Sequence, residues 1–431
     1  MSRNFYNVEN YKMLRLKFLL KSIQTGGTPS TNNDDYFDGD IKWFTPGDFD
    51  ENIYLTHSNR RITDHAILDN EAKLFEGNTV AIVGIGATLG KVGILKEEGS
   101  FNQQITGLNT NHLIEPEYLY YWILINRDTI LKTANYTTLP IINNQFIKEF
   151  ECPVPHIVVQ KHIVNYLKTK SNEIFSIIGA KQKLINLLEQ QRQSIITEAV
   201  TKGLNLNVKM KDSGIEWIGE IPEHWDVTKI KYTTYVKGRI GWQGLKSDEF
   251  IDEGPFLVTG TDFKNGYVDW DTCYHISAER YDEAPPIQLK EDDLLITKDG
   301  TIGKLALVKN MPYKAILNSG VFVTRPLTNK YNSKYMYWLL SSTIFDKYIK
   351  FMETGTTIKH LYQETFVNFS YPLPNIKEQE QITNYLDIKI AELDEMKLKI
   401  NEQIEKLKEY RQSLIYEAVT GKIDVRELEL D

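Results

Sequence analysis

Two stretches of the chain place apolar side chains at alternating spacings of four and three. Ile174, Ile178, Lys181, Ile185, Leu188, Arg192, Ile195 and Ala199 fall on one such face, and Leu393, Lys397, Ile400, Ile404, Leu407, Arg411, Leu414 and Ala418 on the other. This is the a/d seam of a coiled coil. Each stretch opens on a Pro-x-Pro and holds no proline inside it, so each predicts one long uninterrupted helix. About 45 residues rising 1.5 Å apiece give a rod of roughly 65–70 Å. Elsewhere the pattern is shorter. Apolar runs at 79–83, 294–297 and 321–324, bounded by glycine turns, predict strands. Segments 116–132 and 333–350, rich in Tyr, Trp and Leu, each predict a helix. Gly26-Gly27-Thr28-Pro29-Ser30 and Lys237-Gly238-Arg239-Ile240-Gly241 predict exposed loops.

The pattern occurs twice because the chain is duplicated. Residues 153–203 align with 372–422 without a gap, and 20 of the 51 pairs are identical. The identities include Gln160/Gln379, Asn165-Tyr166-Leu167 with Asn384-Tyr385-Leu386, and Glu198-Ala199-Val200-Thr201 with Glu417-Ala418-Val419-Thr420. The preceding segments match more loosely and at drifting offsets. Asp48-Phe49 pairs with Asp262-Phe263, Thr88-Leu89-Gly90-Lys91 with Thr301-Ile302-Gly303-Lys304, and Tyr121-Trp122 with Tyr337-Trp338. Each half is therefore a variable mixed α/β module of about 150 residues followed by a near-constant helix.

Composition adds limits. With 431 residues and 41% apolar side chains the chain is globular and long enough for two or three domains. No window approaches eighteen unbroken apolar residues, so no membrane span is expected, and the N-terminus lacks the apolar core of a secretory signal. Cys152 and Cys273 lie one in each half; they could be bridged in principle, but two lone thiols fit a reducing cytoplasm better. His156 and His162 have no Cys or carboxylate cluster beside them, so no metal site is expected. The net charge of −8 weighs against a nucleic-acid partner when taken whole. Phosphate binding, however, needs only a local positive face, and a basic partner can neutralise the rest. Residues 156–213 carry nine Lys/Arg against four Asp/Glu, while 375–431 carry nine against fourteen. Opposite signs on two helices with matching seams favour their mutual pairing; the alternative is drift on two solvated faces.

The candidate chemistry is mostly excluded. Gly84-Ile85-Gly86-Ala87-Thr88-Leu89-Gly90-Lys91 looks like a phosphate loop, but Ile85 stands where the first glycine is required and Val92 where Ser or Thr would hold Mg²⁺. It reads as a tight turn between strands, from which Thr88, Lys91, Thr301 and Lys304 remain available to DNA phosphate. A base-amino methyltransferase needs a polar residue and an aromatic ring around Pro-Pro, whereas Pro285-Pro286 is flanked by Ala284 and Ile287. Asp292-Asp293 with Lys298 is a spacing common in acidic chains. What remains is recognition chemistry, and it appears twice. Loops of the first half offer Thr28, Ser30, Lys42, Trp43, Thr45, Arg60, Arg61, Asn102, Gln103 and Gln104. Those of the second offer Lys237, Arg239, Trp242, Lys246, Lys298, Asn318 and Ser319. Gln and Asn match adenine, Arg matches guanine, and Ser or Thr suits phosphate. Taken singly, each is an ordinary surface residue, and Tyr121-Trp122 and Tyr337-Trp338 fit a core.

Several motifs resemble one family. Gly27-Thr28-Pro29-Ser30, Tyr36-Phe37-x-Gly39-Asp40-Ile41-x-Trp43 and Gly47-Asp48 look like the opening of a target recognition domain of type I restriction–modification specificity subunits. Asp212-Ser213-Gly214-Ile215-Glu216-Trp217-Ile218-Gly219-Glu220-Ile221-Pro222-x-His224-Trp225 resembles the linker after that family's first long helix. Gly238-Arg239-Ile240-Gly241-Trp242-Gln243-Gly244-Leu245 is similar to the start of its second recognition domain, and the helix entries and exits also match. The first copy departs at Val159-Gln160, where the family has Glu-Gln.

The resemblance implies an α+β fold: two α/β recognition domains related by pseudo-twofold symmetry and separated by two long helices in an antiparallel coiled coil. The boundaries are 1–155 and 214–374 for the recognition domains, with 156–213 and 375–431 for the helices and their tails. It implies a non-catalytic reader of double-stranded DNA, each domain taking half of a bipartite target. The helices would dock two modification subunits, and restriction subunits would join them. S-adenosylmethionine, ATP and Mg²⁺ would reside on those partners, with no cofactor on this chain. Two other readings stay open, a stand-alone nuclease or methyltransferase with an unrecognised centre, and a coiled-coil interaction scaffold.

Overall fold

The computed structural model describes residues 11–134, 141–239, 245, 247–352 and 360–425. The chain divides into two compact units, residues 1–181 with 401–431, and residues 182–400. The division cuts both long helices, Ile157–Lys202 and Ile376–Val419, so each unit contains a segment of each.

In the first unit a five-stranded sheet runs in the order Leu20–Thr25, Ile105–Thr110, Val80–Val83, Val92–Leu95, Tyr54–Leu55. The central run Val80–Val83 is buried on both faces, hence its unbroken apolar sequence. A four-stranded sheet, Arg60–Ile62, Phe37–Phe44, Gly99–Phe101, Leu74–Phe75, lies beside it in the chain path. A two-stranded ribbon of Lys12–Arg15 with Glu151–Val154 delivers the chain into the first long helix. The second unit repeats this plan. Its six-stranded sheet runs Thr234–Gly238, Val321–Pro326, Leu294–Thr297, Leu305–Leu307, Tyr267–Val268, Phe263–Lys264. A three-stranded sheet of Tyr274–His275, Ile251–Val258 and Ala315–Leu317, the ribbon Asp226–Lys229 with Ser370–Leu373 and the short pair Met210–Asp212 with Glu220–Pro222 complete it. In both units one strand of the smaller sheet pairs in parallel: Trp43 and Phe44 with Ser100 and Phe101, and Phe256, Leu257 and Val258 with Ala315, Ile316 and Leu317.

Each sheet packs on its aromatic-rich helical segment, but not as one helix per copy. The first is broken into Pro116–Ile125 and Arg127–Ala134, the second into Ser333–Leu340 and Thr343–Met352. Polar side chains at the breaks capture helix carbonyls: Asn126 donates to the Trp122 oxygen, Ser341 to that of Tyr337 and Ser342 to that of Leu339. Such local bonds compete with continuation of the helix. Tyr121 and Trp338 are buried, as expected of core residues.

The seam positions expected of the long helices are all buried or half-buried, while Ile177, Leu184, Leu187, Met396 and Leu398 are exposed. Within the first unit Arg411 reaches Ser171 and Lys181 reaches Gln403. Within the second, Lys397 pairs with Glu189 and Arg192 approaches Asp394. In each unit one helix's numbers rise as the other's fall, so the segments run antiparallel. The ion pairs between the helices follow their opposite net charges only in part, Arg192–Asp394 agreeing with them. Of the two ion pairs just named, Lys397–Glu189 sets a lysine of the acidic helix against a glutamate of the basic one. The apolar seam carries the pairing.

Both cores incorporate the distant helix end. In the first, Leu414, Ile415, Ala418 and Val419 pack with Leu16, Tyr118, Ile163 and Leu167. In the second, Ile196, Ala199 and Val200 pack with Tyr335, Ile382 and Leu386. Cys152 and Cys273 are both buried free thiols, and burial raises the pKa of each. No described helix is long and apolar enough to cross a membrane.

Candidate nucleic-acid interface

In the first unit, backbone hydrogen bonds gather three loops at the end of the large sheet. The Gly84 N–H donates to the Gln104 carbonyl at 2.7 Å, and the Ile142 N–H donates to Gly84 at 2.9 Å. Gly26 and Gly27 close the cluster by donating to Ile105 and Phe101. A Cβ on Gly26 would stand 2.2 Å from the Phe101 carbonyl oxygen, so only glycine allows this approach. The Asn102 side chain bridges the turn, accepting from Gln104 N–H and donating to Gln104 Oε1. Gln103 is left exposed, and Gln104 Nε2 lies over Gly86.

The second unit builds the same platform from different side chains. Lys298 N–H donates to Gly320 at 2.9 Å and Leu361 N–H to Lys298 at 2.8 Å. Asn318 caps its own turn by accepting from Ser319 N–H at 2.7 Å. Gly84, Gln104 and Ile142 thus correspond to Lys298, Gly320 and Leu361. The turns that resemble a phosphate loop are the sheet's hairpins, between Val80–Val83 and Val92–Leu95 and between Leu294–Thr297 and Leu305–Leu307. No helix follows either one. Gly90 at φ 78° and Gly303 at φ 82° supply the left-handed conformation these hairpins require. A capped turn supports each: Asp48 accepts from the Thr45 N–H and hydroxyl, and Asp262 from those of Thr259, at 2.7 and 2.9 Å in both. Lys91 and Lys304 clasp these turns, donating to Phe49 and Gly260 carbonyls.

Several expected contact residues are therefore structural. Trp43 is only 2% exposed and donates its indole N–H to Gly27. Asn102, 7% exposed, is spent on its turn. Arg239, 4% exposed, donates to Leu317, and burial followed by nearby Arg280 lowers its pKa. In those three, sheet and turn closure engages polar atoms that the sequence offered to a ligand. Thr45 and Lys91 are likewise engaged internally. Lys42 and Trp43 lie on a strand, as do Arg60 and Arg61, and Lys237 lies on another, so these are not loop residues. Lys42 pairs with Glu97, and Arg60 stacks over Phe37 and Trp43 while staying exposed. Thr28, Ser30, Arg61, Gln103, Lys237, Thr301 and Lys304 are exposed, and Thr88, Gln104, Lys298, Asn318 and Ser319 half-buried. Trp242 and Lys246 lie outside the described residues.

Sequence reasoning missed three residues at the second platform. Asp299 and His360 form an isolated bridge and a side-chain ion pair, and Tyr362 packs edge-on against the His360 ring. Asp299 lies 61 positions before His360, and His360 and Tyr362 form no motif with their neighbours, so nothing local announced the three together.

A family model described as the type I restriction modification DNA specificity domain matches residues 8–187 and again 226–406. Among curated proteins, the chain is similar to the type I restriction enzyme MjaVIII specificity subunit of Methanocaldococcus jannaschii, 25% identical over 427 residues, 97% of this chain and 94% of that one. It is also similar to the EcoR124I/EcoR124II specificity subunit of Escherichia coli, 30% identical over 172 residues, 38% of this chain and 42% of that one. Among solved structures, a chain from work on complex assembly and conformational transition of the type I R-M system gives a TM-score of 0.73 at 15% identity, covering 96% of this chain and 98% of its own. The HsdS subunit from Thermoanaerobacter tengcongensis gives 0.54 at 15% identity, covering 96% and 97%. At such identities the structures speak to the fold.

Proposed function

The chain belongs to the family of type I restriction–modification DNA specificity domains, and from that we propose that it is the DNA-reading, non-catalytic subunit of a type I complex. The observation that carries this is the duplicated platform: two units with the same backbone scaffold and different side chains at the equivalent loop positions. A common scaffold with divergent contacts suits two readers of unlike half-sites in double-stranded DNA. Exposed Thr, Ser, Arg and Lys side chains supply phosphate contacts, and Gln103 and Gln104 supply base-edge hydrogen bonds.

The long helices would dock two modification subunits, which bring S-adenosylmethionine and the methylating site. Restriction subunits using ATP and Mg²⁺ would join that core, and this chain would take no cofactor itself. A helix of 46 residues measures about 69 Å, comparable to a spacer of roughly 20 base pairs at ~3.4 Å each. Such a complex works where the genome is, in the cytoplasm.

The test is reconstitution with cognate modification subunits. Exchanging residues 1–155 for those of a relative changes one half of the methylated site and leaves the other; a change in both halves, or in neither, overturns the modular reading. The chain alone, given DNA with Mg²⁺ or S-adenosylmethionine, is inert. DNA binding by the assembled complex weakens steeply with salt, whereas a protein-binding scaffold gives no such binding.

A further inference from the structure

At one pair of equivalent positions the chain pairing is kept while the side-chain chemistry changes. In the first unit the isolated bridge joins Ile85 to Ile141, and in the second it joins Asp299 to His360. The two bridges sit at the same place on the scaffold, one residue beyond Gly84 and Lys298, whose carbonyls accept from Ile142 and Leu361. One platform thus holds two apolar side chains where the other holds a carboxylate bonded to an imidazole.

We propose that Asp299, oriented by His360, determines the specificity of the second unit's half-site by accepting a hydrogen bond from an exocyclic amino group in the major groove. The proposal rests on the DNA-reading function given above. Five features support it. A carboxylate is an acceptor only, and the amino groups offered in the major groove are cytosine N4 and adenine N6; guanine and thymine present acceptors there, which a carboxylate repels. His360 Nδ1 holds Asp299 Oδ1 and fixes the rotamer, which lowers the entropy lost on contact. Asp299 Oδ2 points past Gly320, 4.0 Å from where a Cβ would stand, so no side chain from that position covers it. Around Gly300, at φ 68°, a Cβ would meet nothing within 4 Å among the described residues, which leaves room there for a base edge. Beside the pair, Tyr362 is 65% exposed and walls the site with its ring.

The first unit inverts the arrangement. Gln104 occupies the position of Gly320 and carries the polar group, while Ile85 and Ile141 offer apolar contact suited to a thymine methyl. The two units accordingly read different base pairs through one backbone geometry.

The test uses the assembled complex and the methylated motif in DNA. Asp299→Asn keeps the shape and the contact to His360 but adds a donor, so one position of the second half-site becomes degenerate, discrimination there falls about tenfold or more, and the first half-site is unchanged. The double variant Asp299→Ile, His360→Ile, which copies the first unit, alters the same position. An unchanged motif in Asp299→Asn, with the unsubstituted complex methylating a bipartite site, overturns the proposal. Equal loss at both half-sites also overturns it, because the pair then serves folding and not reading. If the unsubstituted complex yields no bipartite motif, it is the DNA-reading function that fails.

Discussion

Gln160 and Gln379 show why the constant segments are constant. Each is fully buried at the start of a long helix. Gln160 Nε2 donates to Leu113 and Pro155 carbonyls and its Oε1 accepts from Glu115 N–H. Gln379 repeats this with Lys330, Pro374 and Asn332. One amide satisfies three backbone groups, a proline carbonyl at the Pro-x-Pro entry and two groups in the segment that leads into the short helix of the same unit. Gln160→Leu, close in size but unable to hydrogen-bond, should cost about 3 kcal/mol, read as a lowered denaturation midpoint for the first unit. Tyr118 and Tyr335 act similarly: their hydroxyls donate to Pro153 and Val419, and to Pro372 and Val200, and burial raises both far above the ordinary tyrosine range. Tyr118→Phe should cost about 1–2 kcal/mol. The identity of Gln160 and Gln379 was visible in the sequence, whereas pairing Tyr121-Trp122 with Tyr337-Trp338 set Tyr118 opposite Lys334, and only the shared bond to the entry proline carbonyl brings Tyr118 and Tyr335 into register.

Where the short helix of each unit meets its long helix, the charge is reversed between copies. Glu117 pairs with Lys168 in the first unit, and Lys334 with Asp387 in the second. Tyr54 also donates to Glu117, at 2.6 Å. Burial would raise the Glu117 carboxyl, but the bonds from Tyr54 and Lys168 outweigh it and leave the pKa below the ordinary glutamate value. A carboxyl depressed in the folded state adds stability that is full above the ordinary range and is lost as pH falls through the lower folded value. Glu117→Gln should therefore lose about 1 kcal/mol at neutral pH and converge with the unsubstituted protein in acid, as measured by unfolding across pH. The double reversal Glu117→Lys, Lys168→Glu should recover most of that loss. Along the seam, Ile185→Ala should cost about 2–4 kcal/mol, while exposed Leu184→Ala stays within about 0.5 kcal/mol.

At the level of the folded chain, the first unit is complete only with residues from the far end of the sequence. Leu414, Ile415, Ala418 and Val419 fill its core, and Val419 accepts from Tyr118. Ending the chain after Ile400 should expose that core and speed hydrogen exchange in the sheet containing Val80–Val83 by about a hundredfold or more. Exchange in the sheet of Leu294–Thr297 should remain slow. An equal effect on both sheets would contradict the division into units.

The hydrophobic periodicity and the internal repeat already determined the long helices, their seams, the α/β modules and the hairpins of the false phosphate loop, because those are local consequences of side-chain spacing. The family resemblance rested on motifs in the same segments. What the tertiary structure decided was which polar residues are available. Trp43, Asn102 and Arg239 looked like contact residues by type and were claimed by turn and sheet closure, whereas Asp299, His360 and Tyr362 looked like nothing in particular until strand pairing put them together. Spacing along a chain fixes which face a side chain takes; only the folded backbone fixes which hydrogen-bonding groups are already spent.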